Sequence, residues 1–94
     1  MITIRQMRYF EALASSQHFG RAAELSNVSQ PALSAQIREM ETVLGVRLVE
    51  RARTGTFLTP EGEELLPEIH RILQDVDTLM ERARNVRGLL EGRF

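Results

Sequence analysis

The residues with the best-placed chemistry in this chain are Ser29-Gln30-Pro31-Ala32-Leu33-Ser34 with Arg38 behind them, and a second group formed by Arg51 and Arg53. Glutamine can address the edge of adenine, a serine hydroxyl can meet a base or a phosphate, and small alanines let a helix approach thymine methyls. A guanidinium fork grips phosphate or guanine through two parallel hydrogen bonds, where an ammonium offers only a point charge. All 12 cations of the chain are arginine, a bias that an arginine-rich genome would also produce. Nothing comparable supports catalysis. Ser29 and Ser34 lack a nearby base to activate them, and His18 and His70 stand far apart without metal-ligand spacing. The absence of cysteine excludes disulfides, thiolate nucleophiles and cysteine-held metals. Glu61, Glu63, Glu64 and Glu68 suit the positive end of a helix. No enzyme activity, metal or cofactor is expected.

Ninety-four residues make one small domain. With 43% hydrophobic and 27% charged residues the composition is that of an ordinary globular chain, and no apolar run approaches the roughly 18 residues of a membrane span. Met1-Ile2-Thr3-Ile4-Arg5 lacks the layout of a secretion signal, so the expected compartment is the cytoplasm. The net charge of −1 hides an asymmetry. Residues 1–53 hold seven arginines against five acids, and residues 54–94 five against eight, giving +2 and −3. The arginine-rich part contains both groups of candidate residues.

Those groups need elements to hold them. Ile4, Met7, Phe10, Leu13 and Ala14 fall three or four apart and predict a helix ending near Ala14. Phe19 to Leu25 predicts a short second helix, stopped at Ser26-Asn27-Val28. Ser29 is a good N-cap for a third, with Pro31 in its first turn, a core stripe of Leu33, Ile37, Met40 and Leu44, and Gly45 as its stop. That stripe leaves Gln30, Ala32, Ser34, Ala35, Gln36 and Arg38 for solvent. A short helix, a tight turn and a longer helix opening on polar residues form the helix-turn-helix pattern, over residues 19–38, although a plain helical corner has the same spacing. Residues 46–58 predict a β-hairpin with Arg51 and Arg53 at its tip, which would make a wing. Those arginines could reach phosphates or the minor groove, or serve only as solubilising charges. Thr59-Pro60-Glu61 opens a last helix over 60–90, in which Pro67 removes one backbone bond. Leu65, Ile69, Ile72, Val76, Leu79, Ala83, Val86 and Leu90 form a heptad seam along it. The seam is longer than so small a domain can cover, and a partner chain is the natural cover. The fold class is therefore mainly α with a small β-hairpin, a winged helix-turn-helix over residues 1–59 followed by a long linker helix.

Arg5-Gln6-Met7-Arg8-Tyr9-Phe10, His18-Phe19-Gly20-Arg21-Ala22-Ala23, Val28-Ser29-Gln30-Pro31-Ala32-Leu33-Ser34, Leu44-Gly45-Val46-Arg47-Leu48-Val49-Glu50-Arg51 and Leu58-Thr59-Pro60-Glu61-Gly62 together resemble the DNA-binding domain of LysR-type transcriptional regulators. The wording around His18 and Gln36-Ile37 is most like the peroxide-sensing OxyR branch. The resemblance spans the whole chain and implies a linker helix that pairs antiparallel with its mate. It further implies dimers that assemble into tetramers through a C-terminal sensing domain, which this chain, with an end at Phe94 that reads as cut, is expected to lack. It also implies DNA contacts from Ser29, Gln30, Pro31, Ala32 and Ser34, from Arg21 and Arg38 as phosphate binders, and from Arg51 and Arg53 on the wing. Ala35 departs from the family, where a long polar residue is frequent, and His18 stands where serine often caps. The expected function is sequence-specific binding of double-stranded DNA, at an imperfect inverted repeat, by a homodimer that regulates transcription. The alternative is a dimerising protein-interaction module in which the winged fold is only a scaffold.

Overall fold

A computed structural model describes residues 1–92, so the reading of the chain's end at Phe94 lies outside the described residues. The order of elements is α1 (Ile4–Ser16), α2 (Phe19–Ser26), α3 (Gln30–Leu44), β1 (Val49–Ala52), β2 (Gly55–Leu58) and α4 (Pro60–Leu90). No helix among the described residues is long and apolar enough to cross a membrane.

α1 runs two residues past the expected end because Gln17, in the left-handed conformation, closes it through its N–H to the Leu13 carbonyl. Its start is a reciprocal capping box: the Gln6 N–H donates to Thr3 Oγ1 and the Thr3 N–H donates to Gln6 Oε1, each at 3.0 Å. The buried face of α1 is Gln6, Met7, Tyr9, Phe10 and Leu13; Ile4, expected on it, is 44% exposed because it opens the first turn, ahead of the core. α2 is capped by His18, whose Nδ1 accepts from the Arg21 N–H at 3.0 Å. Asn27, at φ 58°, makes the left-handed turn into α3. Ser29 then caps α3 as expected, accepting from the Ala32 N–H at 3.2 Å. Removing the α2 cap with His18→Ala should cost about 1 kcal/mol and lower the melting temperature by about 4–8 °C, while His18→Asn keeps the acceptor and most of the stability. Equal losses in the two melts would assign the effect to ring contacts instead.

Phe10, Leu13, Leu33, Ile37, Met40 and Leu48 are the large side chains at the centre of the core, and Ala22 and Ala23 let α2 approach it closely. Leu44 does not complete the α3 stripe; in the last turn before Gly45 it stands at the rim of the core, partly exposed.

The hairpin is antiparallel with Val49 opposite Leu58 and Ala52 opposite Gly55, so its loop is Arg53-Thr54. Several bonds hold its base. The Thr56 N–H donates to the Gln17 carbonyl (3.2 Å), the Leu48 N–H donates to Glu41 Oε2 (2.7 Å), and the Thr59 hydroxyl donates to the Arg47 carbonyl (2.5 Å). Thr59 also caps α4, accepting from the Gly62 N–H at 2.9 Å.

α4 continues through Pro67 without interruption. Its first half lies on α1. Ile69 and Leu73 are fully within the core, and Leu65 and Leu66 pack against it. This corrects the seam at its beginning: Leu65 and Ile69 cover the chain's own core, because α1 lies alongside that part of the helix. Arg8 to Asp77 at 3.3 Å and His70 to Glu11 at 2.5 Å fasten the same two helices, and both exposed pairs add little stability. Ile72 is exposed on the side of this stretch away from the core, and beyond Asp77 the residues Leu79, Val86 and Leu90 are exposed, with Met80 and Leu89 beside them.

Candidate nucleic-acid interface

The start of α3 carries the expected polar set on its outer face. Ser29, Gln30, Pro31, Ala32, Ala35 and Arg38 are exposed and Ser34 is half-buried. This follows from the core stripe, since burying Leu33, Ile37 and Met40 turns the opposite positions to solvent. Arg21 is exposed in the first turn of α2. Gly20 leaves room at this junction: a Cβ there would lie 2.9 Å from the His18 ring and 3.8 Å from Gln30 Oε1. The Gln30 amide therefore sits against the beginning of α2, bringing the two helix starts together.

The two wing arginines have different settings. Arg53 is in the hairpin loop and exposed. Arg51, expected at the tip, lies in β1 opposite Thr56 and turns back. Its guanidinium stacks 3.8 Å above the centre of the Phe19 ring, and its Nη2 donates to Ser34 Oγ at 3.2 Å. One side chain thereby ties the wing to α2 and to α3, and sets the wing beside the start of α3.

Sequence reasoning missed Phe19 as the platform for Arg51, Glu41 as the tie between α3 and the wing, and the Gln6 side chain, which donates from Nε2 to Gln36 Oε1 at 3.1 Å. The spacing Thr3-x-x-Gln6 is a capping-box signature and would have placed Gln6. A core aromatic used as a cation platform leaves no such mark.

Two helices joined by a tight turn, with a hairpin laid against the start of the second, define a winged helix-turn-helix protein. Residues 4–63 match the family model described as "Bacterial regulatory helix-turn-helix protein, lysR family", and the chain belongs to that family. It is 42% identical over 90 residues to the "Probable hydrogen peroxide-inducible genes activator" of Mycobacterium xenopi, covering 96% of this chain and 48% of that protein. Among solved structures it is similar to the Corynebacterium glutamicum OxyR C206 mutant, with a TM-score of 0.87, 38% identity, and coverage of 90% of this chain and 27% of the other. It is also similar to the DNA-binding domain of CbnR in complex with DNA, with a TM-score of 0.84, 35% identity, and coverage of 90% and 98%. The chain thus spans about half the length, or less, of the longer relatives it matches.

Proposed function

We propose that this chain is the DNA-binding part of a cytoplasmic LysR-type transcriptional regulator, acting without catalysis as a homodimer on an imperfect inverted repeat. The observation that carries the reading is Arg51. By bridging Phe19 and Ser34 it fixes the wing beside the start of α3, so that a helix sized for the major groove and an arginine-bearing loop for the adjacent backbone form one surface. Gln30, Ala32 and Ser34 supply base contacts. Arg21, Arg38 and Arg53 are free on the surface to meet phosphates. The seam of the dimer runs along α4 through Ile72, the half-buried Val76, Leu79, Ala83 and Val86. In the longer protein such dimers would pair into tetramers.

Selection from random duplex DNA, followed by titration of the enriched site at several salt concentrations, tests this. The expected product is an inverted repeat. With three phosphate contacts per protomer, the logarithm of affinity should fall against the logarithm of salt with a slope of about −5. No enriched site and a shallow slope would favour the dimerising interaction module.

A further inference from the structure

We propose that Gln36 is a further specificity-determining residue, reading a base edge as a hydrogen-bond donor, and that Gln6 sets this polarity from inside the domain. The proposal rests on the DNA-binding function above and names a residue and a polarity beyond it. A glutamine amide can face either way, and its orientation must come from its partners. Here the series begins at a group with no choice. The Thr3 backbone N–H can only donate, and it donates to Gln6 Oε1 at 3.0 Å. The other end of the Gln6 amide is then Nε2, which donates to Gln36 Oε1 at 3.1 Å. The Gln36 carbonyl is thereby engaged by α1, which leaves the NH2 group as the end of this amide available to a ligand.

Turning the Gln6 amide over would set N–H against N–H at Thr3 and carbonyl against carbonyl at Gln36. Gln6 is 2% exposed, so water cannot make good that loss, and the described residues contain no buried side-chain polar atom without a partner. The Gln36 NH2 group, in contrast, has no partner among the hydrogen bonds of the described residues, and the side chain is half-buried rather than enclosed. On the same flank of α3, Ala32 stands one turn before it and Glu39 one turn after it, both exposed, and neither bonds to the Gln36 amide among the described residues. Two donors in that position suit guanine O6 and N7, adenine N7 or thymine O4, and oppose the amino groups of cytosine and adenine. The tether also reduces the side-chain freedom lost on binding.

The test is selection of DNA sites by the 94-residue chain and by its Gln36→Ala and Gln6→Glu variants, each checked for fold by circular dichroism. A carboxylate at position 6 still accepts from the Thr3 N–H, because glutamate is a standard capping-box residue, but it cannot donate to Gln36. The Gln36 amide then turns over and presents its carbonyl. Gln36→Ala is expected to weaken discrimination at one position of each half-site by about tenfold. Gln6→Glu is expected to change the preferred base at that same position from one presenting an acceptor to one presenting an amino group, without a new preference elsewhere. An unchanged logo for Gln6→Glu, or an equal loss on all sequences for Gln36→Ala, would overturn the proposal while leaving the DNA-binding function standing. A parent chain that enriches no site would overturn both.

Discussion

Gly62→Ala should be the most destabilising single methyl in the molecule. A Cβ at Gly62 would lie 2.2 Å from the Leu48 carbonyl oxygen and 3.1 Å from its carbon, both backbone atoms. A flexible side chain could swing aside, but this carbonyl is also the acceptor of the Thr59 N–H at 3.0 Å, and the Leu48 N–H is itself held by Glu41. Relieving the clash requires the start of α4 to lift away from the base of the wing, breaking the bonds that Thr59 makes. The expected cost is about 3 kcal/mol, at the upper end of the range for overpacked sites. In a domain of this size that lowers the melting temperature by about 12–24 °C. Because the displaced segment also anchors the hairpin, DNA affinity at temperatures below the melt should fall as well. A melt within about 2 °C of the parent would mean that α4 can slide over Leu48 without loss, contrary to the clustering of hydrogen bonds at that junction.

The second large effect is expected in assembly rather than folding. Leu79 is 66% exposed within the chain, so Leu79→Glu removes little from the domain's own core and should leave its melt nearly unchanged. In a dimer built along α4 the same position is covered by the partner, and a carboxylate there is desolvated without a counter-charge. Two-fold symmetry repeats the damage. Taking about 2 kcal/mol for each copy of a central interface residue, the loss is about 4 kcal/mol, roughly a thousandfold in the dimer dissociation constant. Sedimentation over a concentration series reads this directly. A dimer of parental affinity would move the interface off the exposed half of α4 and onto another surface.

Much of the fold was legible because its punctuation is local. Ser29, Asn27, Gly45 and Thr59 cap or stop helices through contacts within a few residues, and the heptad spacing of α4 depends on nothing distant. What the periodicity could not say is which partner covers an apolar stripe. Leu65 and Ile69 fit the seam as well as Leu79 does, yet α1 covers them, and Leu73, off the seam, is buried with them. The candidate site divides in the same manner. The outward residues of α3 follow from its stripe, whereas the return of Arg51 onto Phe19 depends on the register of the hairpin, which places Arg51 opposite Thr56 rather than at the loop. Gly62, in the first turn of α4, is by its type only a weak helix former. Its role emerges only from the approach of Leu48, 14 positions earlier in the chain.

In the proposed dimer, the second half of α4 would act as a gear between two DNA-reading bodies. Wing and α3 are bonded to the rest of the domain at several points, so in an antiparallel pair the separation of two such bodies is fixed by the alignment of their α4 helices alone. Seven residues of helix are about 10 Å. A slip of the seam by one heptad would therefore move the two recognition helices about 10 Å relative to each other, or about three base pairs. Half-site spacing, in such a dimer, would be encoded in apolar residues that touch no DNA.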